Sequence, residues 1–98
     1  MAEESKYKII LLTTAGCDGC QVMHQNTVEA INMSHKPIEF KRIDLIKDAD
    51  ETKKCCKYFG VKDFPTILLF NGEDLKFKYT GSMPIVVVLR WIDIHFKS

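Results

Sequence analysis

Short apolar runs alternate with longer amphipathic stretches along the chain, and the alternation predicts its elements. Lys6 to Thr13 holds the run Ile9-Ile10-Leu11-Leu12 and ends in a turn signal, which predicts a buried strand. From Asp18 to about Ser34 no proline occurs, and Cys20, Met23, Thr27, Ala30 and Ile31 fall on one helical face. Pro37 closes the connection to a second strand over Ile38 to Asp44, with Ile38, Phe40 and Ile43 inward. Asp48 to Phe59 reads as a helix with Ala49, Thr52, Cys56 and Phe59 on one stripe, and Gly60 stops it. Thr66 to Phe70 and Leu75 to Tyr79 flank the turn signal Asn71-Gly72-Glu73-Asp74, which predicts a hairpin. Ser82 is expected to cap a last helix that has Pro84 in its first turn and ends near Phe96.

Composition narrows the class. The chain has 98 residues, 46% of them hydrophobic and 28% charged, enough for one core, so a single domain over residues 1–98 is expected. Its net charge is +1 with the signs interspersed, which argues against a nucleic-acid or membrane-surface protein. The longest apolar run, Ile85 to Leu89, is far below the ~20 residues of a membrane span. The acidic start Met1-Ala-Glu-Glu-Ser5 is not followed by a signal-peptide pattern, so the cytoplasm is the expected compartment. There, four cysteines are more often catalytic, metal-binding or simply buried than paired as staples.

Cys17-Asp18-Gly19-Cys20 lies where a buried strand hands over to a helix. Residues at i and i+3 share a helix face, so the two sulfurs reach bonding distance at little backbone cost. The unpaired N–H groups and the dipole of the helix start favour a thiolate at Cys17, with Cys20 shielded one turn inside. Half of a zinc site is the alternative, but zinc needs a second ligand pair. Cys55 and Cys56 are adjacent in mid-helix and point in different directions. Phe64-Pro65-Thr66, directly before a strand, is a further marker, either an ordinary edge proline or a cis one.

These residues resemble the thioredoxin/glutaredoxin superfamily. The resemblance rests on Cys17-Asp18-Gly19-Cys20, on Tyr58-Phe-Gly-Val-Lys-Asp-Phe-Pro-Thr-Ile-Leu-Leu-Phe70 with the following Asn-Gly-Glu, and on Tyr79-Thr80-Gly81, and it runs from Ile9 onward. It implies a thioredoxin-like fold: a three-layer α/β/α sandwich with a four-stranded mixed sheet in the order β-α-β-α-β-β-α. It also implies a cis Pro65 facing the cysteine pair, a Phe64 backbone that pairs with an extended partner segment, and a Gly81 that leaves the partner room. The implied activity is reduction of protein disulfides by a redox-active Cys17–Cys20 pair, with no other cofactor and no metal. A thioredoxin reductase or glutathione would return the electrons, and the protein would act as a monomer.

Departures from the family pattern shape the chemistry. Gly16 stands where a tryptophan usually precedes the pair, and Asp18-Gly19 replaces Gly-Pro. The buried acid usual six residues before the first cysteine falls on Leu11, and its companion lysine falls on or near Phe40. Water or His24, one turn beyond Cys20, could take over the proton; the simpler reading of His24 is a partly exposed surface histidine. Asp18 repels a neighbouring thiolate, which stabilises the disulfide and makes the pair a reductant. Gly81-Ser82-Met83-Pro84 lacks the acid with which glutaredoxins hold glutathione. Cys56 is expected to be a small buried hydrophobe. Cys55 reads as an idle surface cysteine or, with Lys53, Lys54 and Lys57 lowering its pKa, as a regulatory thiol. His35 and His95 are expected to face solvent, and Trp91 to pack the last helix on the sheet. Two other functions stay open: a glutathione-dependent glutaredoxin-like enzyme, and a redox-inert interaction or metal-binding module.

Overall fold

A computed structural model describes residues 6–96. Seven elements follow one another: β1 (Tyr7–Thr13), α1 (Asp18–Ser34), β2 (Ile38–Asp44), α2 (Ala49–Phe59), β3 (Thr66–Asn71), β4 (Asp74–Thr80) and α3 (Ile85–His95). The acidic start lies outside the described residues. The strands form one mixed sheet in the order β2-β1-β3-β4. β1 runs parallel to β2 and antiparallel to β3, and β3 is antiparallel to β4.

The two inner strands are buried on both faces, which is why they read as unbroken apolar runs rather than alternating ones. Ile9, Leu11, Ile67 and Leu69 face one core with Met23 and Ala30 of α1 and Val88 and Ile92 of α3. Ile10, Leu12, Leu68 and Phe70 face the other, under Cys55, Cys56 and Phe59 of α2. Each fully buried Leu or Ile side chain contributes roughly 1.5–3 kcal/mol. The three layers therefore place α1 and α3 on one side and α2 on the other. On the edge strand β2, Ile38 and Phe40 pack with the first core and Ile43 enters the second. Trp91 stacks α3 onto β4 through Phe77 and Tyr79, at ring distances of 4.8 and 5.0 Å.

Helix ends follow local chemistry. His35 adopts a left-handed conformation (φ 56°) to close α1, and Gly60 does so at the end of α2. The Lys78 ammonium donates to the Phe59 carbonyl at 2.9 Å, where the negative end of α2 favours a cation. Three expectations need correction. Ser82 does not cap the last helix: Pro84 takes the cap position without a side-chain bond, and α3 starts at Ile85. The extended backbone of Pro84 (ψ 159°) holds it outside the first turn. The hairpin, by contrast, turns where expected, with Asn71 and Asp74 paired across Gly72-Glu73. His95 is half-buried, stacked on Phe77 at 4.9 Å, rather than solvent-facing.

Candidate active site

Cys17 is the cap residue of α1. Its extended backbone (φ −108°, ψ 102°) turns the side chain back so that Sγ accepts a hydrogen bond from the Cys20 N–H at 3.2 Å. Sulfur thus does at this helix start what a serine or aspartate oxygen usually does. Gly16, in the left-handed region at φ 71°, supplies the sharp turn between β1 and the cap. The two cysteines are joined as a disulfide, with their Cα atoms 5.3 Å apart. Cys17 is half-buried and Cys20 only 1% exposed, so an attacking partner meets Cys17 first. Asp18, in the first turn, is exposed.

Two loops flank the pair. The Phe64–Pro65 bond is cis, and Pro65 is buried. A methyl group on Gly19 would lie 3.6 Å from Pro65 Cδ and 3.7 Å from Ser82 Oγ, so the helix start, the proline and the last loop meet at this glycine. The Gly81 N–H donates to the Pro65 carbonyl at 2.8 Å. Gly81 has φ 121°, and a Cβ there would press on the Tyr79 ring at 3.4 Å. Among the described residues, no hydrogen bond engages the Phe64 backbone. The Asn26 side-chain amide donates to the Met83 carbonyl at 2.8 Å and ties the same loop to α1.

Beneath the pair the polar groups differ from the family pattern. Leu11 and Phe40 are apolar members of the first core, so that core offers Cys20 no acid and no lysine there. His24, four residues past Cys20, is partly exposed, in line with the simpler reading, and its ring sits edge-on to Phe40 at 5.5 Å. Its Nδ1 is buried without a hydrogen-bond partner among the described residues. Burial, and then the positive charge of Arg42, hold its pKa below the usual 6.5, so the ring is neutral at pH 7. Arg42 spans the edge of the site, donating to Thr13 Oγ1 at 3.1 Å and Gln21 Oε1 at 3.4 Å. Thr13 in turn donates to Asp44.

The second cysteine pair is placed differently. Cys55 and Cys56 are both free and half-buried on α2, so Cys56 is not fully inside and Cys55 is no more exposed than it. The Cys55 pKa is raised, not lowered. Burial is the main cause, and Glu51 and Cys56 add to it; Lys41 and Lys8 oppose it. Lys53, Lys54 and Lys57 are exposed, where water screens them. A cavity of about 670 Å³ lined by Lys54, Cys55, Lys57, Tyr58 and Phe59 lies on this helix, away from the disulfide. No cluster of three or more His, Cys, Asp or Glu side chains that could hold a metal occurs among the described residues. Nor is any described helix long and apolar enough to cross a membrane.

Spacing alone brought Cys17 and Cys20 together correctly. Asn26 and Arg42 were missed. A polar, weakly helix-forming residue in mid-helix beside buried Thr27 was the available signal for Asn26. Arg42 gave none, because an arginine on an edge strand is ordinary.

Comparison with known proteins places this geometry. The family model described as thioredoxin matches residues 1–93. Among solved structures, thioredoxin-2 of a malaria parasite, described as a component of that parasite's protein secretion machinery, superposes with a TM-score of 0.79 at 17% identity. That match covers 96% of this chain and 87% of the other. Thioredoxin O2 from Arabidopsis thaliana, in its oxidized state, gives 0.76 at 19% identity over 95% of this chain and 77% of that one. An N21Q mutant thioredoxin from Halobacterium salinarum gives 0.78 at 18% identity, over 96% and 78%. No curated protein sequence was found to match.

Proposed function

Because the chain belongs to the thioredoxin family, we propose that it reduces protein disulfides by dithiol–disulfide exchange at Cys17 and Cys20. The observation that carries this reading is the Cys20 N–H aimed at Cys17 Sγ at the start of α1, with Cys20 buried one turn behind. In the reduced protein the same N–H and the helix dipole face the Cys17 sulfur and favour its thiolate.

The Cys17 thiolate attacks one sulfur of a substrate disulfide. A Cys17–substrate S–S bond forms, the substrate S–S bond breaks, and the displaced substrate thiolate takes a proton from solvent. Cys20 then loses its proton and attacks Cys17 Sγ. The Cys17–Cys20 bond forms and the second substrate thiolate leaves. Two electrons pass from the protein to the substrate. A thioredoxin reductase or glutathione, acting in the cytoplasm on the monomeric protein, returns them.

Each flanking residue has a part. The Phe64 backbone, unengaged within the described chain, pairs with an extended segment of the substrate next to Pro65. Gly81 leaves that segment room. His24, neutral and one turn beyond Cys20, takes the Cys20 proton. Asp18 and Gly19 tune the reactivity of the loop.

Trapping tests the proposal. With Cys20→Ser, Cys17 is expected to stay bound to oxidised protein substrates through a reducible disulfide. Failure of Cys20→Ser to trap any protein through Cys17, while wild type shows no reductase activity with dithiothreitol, would contradict it. Recycling by glutathione in preference to a thioredoxin reductase would move the assignment to a glutaredoxin-like enzyme.

A further inference from the structure

We propose that Asn26 is a positioning residue that sets the wall of the substrate groove opposite Phe64. The inference rests on the reading of Cys17 as nucleophile and of the Phe64 backbone as a pairing strand. Three segments converge beside the disulfide: the start of α1 at Gly19, the Phe64–Pro65 bond, and the loop from Gly81 to Pro84. The loop is anchored at one end by the Gly81 N–H on the Pro65 carbonyl, at 2.8 Å. Further along, the Asn26 amide holds the Met83 carbonyl, also at 2.8 Å. Ser82, between these anchors, is exposed.

Asparagine inside a helix competes with the helical backbone and forms helices poorly. Here it sits mid-way along α1, and the compensating gain is its reach to a loop 57 residues away in sequence. A local choice that disfavours its own element marks a position chosen for something else. With Gly81 held to Pro65, the Asn26 bond fixes how far Ser82 and Met83 stand from α1, and hence the width left along that loop for an extended polypeptide. A protein disulfide carried on a strand needs both walls. A small aryl disulfide needs only access to Cys17.

Kinetics with dithiothreitol as reductant test this on Asn26→Asp, which keeps the shape and removes the donor, and on Asn26→Leu, which removes all polarity and favours the helix. For oxidised insulin, KM is expected to rise roughly tenfold with kcat changed less than about twofold. For the small disulfide dithiobis(nitrobenzoate), kcat/KM is expected to fall several-fold less. Hydrogen exchange at the Gly81 amide is expected to quicken in both variants while amides in the middle of β1 and β3 stay as slow as in wild type. An unchanged insulin KM, or equal losses with both substrates, overturns the proposal. Unchanged exchange at Gly81 also overturns it, whether or not the protein is active. Inactivity of the wild type toward either disulfide instead removes the functional reading beneath it.

Discussion

Two cysteine pairs occur in this chain, one at the start of α1 and one in the middle of α2. Cys17 and Cys20 are three residues apart at a helix end, where backbone N–H groups lack an i−4 carbonyl partner. Cys55 and Cys56 are neighbours in mid-helix, where every N–H nearby is already used. At the first pair the Cys20 N–H is shared between the Cys17 carbonyl and the Cys17 sulfur, each at 3.2 Å, and the two cysteines are bonded. At the second, both thiols are free and burial pushes their pKa values up. The bonded pair thus sits at a helix end and the free pair in mid-helix, where burial outweighs the nearby lysines.

The sharpest way to break this contrast is to exchange the losses. Cys17→Ser is expected to abolish insulin reduction, by more than about a thousandfold in rate. Cys55→Ser and Cys56→Ser are each expected to stay within about twofold of wild type. Comparable losses at both sites would erase the distinction.

Next in size is the loop that frames only the first pair. Gly81→Ala places a Cβ at φ 121° against Tyr79 and is expected to cost about 1–3 kcal/mol of stability, read from urea midpoints. An unshifted midpoint would show that the loop relaxes freely. Charge beside the first pair comes after it. Asp18→Asn removes the repulsion on the Cys17 thiolate and is expected to raise the reduction potential by about 10–30 mV. A change smaller than about 10 mV in a glutathione redox titration counts against that role.

The smallest effect concerns His24. Its pKa is lowered in the folded protein by burial first and Arg42 second, so below 6.5 the unfolded chain binds more protons than the folded one. Stability is then fully present above 6.5 and declines as pH falls below it. His24→Gln is expected to flatten the fall in urea midpoint between pH 7.5 and pH 5. An equal fall in wild type and variant would assign the slope elsewhere.

Most of this architecture is legible in the residues themselves. Ile9 to Leu12 and Ile67 to Phe70 are apolar without alternation because helices cover both faces of the inner strands. The helix face through Cys20, Met23, Thr27 and Ala30 is the buried one. The bonded pair Cys17–Cys20 was legible for the same local reason, since spacing on one helix needs no tertiary information. Contacts between distant segments were not. The Asn26–Met83 bond, the Arg42 bridge and the contact of His24 with Phe40 depend on how elements pack. The error at Ser82 is instructive too. Serine is a good cap by propensity, but Gly81 is tied to Pro65 and Met83 to Asn26, so the chain stays extended until Pro84.

The central claim is that one pair works as a two-electron couple and the other does not. Equilibrating the reduced protein across a series of glutathione ratios, then mapping each cysteine by mass spectrometry, tests it most directly. The account predicts that Cys17 and Cys20 oxidise together and reversibly, with a tenfold change in ratio per about 30 mV, while Cys55 and Cys56 remain thiols throughout. Cys17 and Cys20 persisting as thiols, or Cys55 oxidising before them, would contradict it.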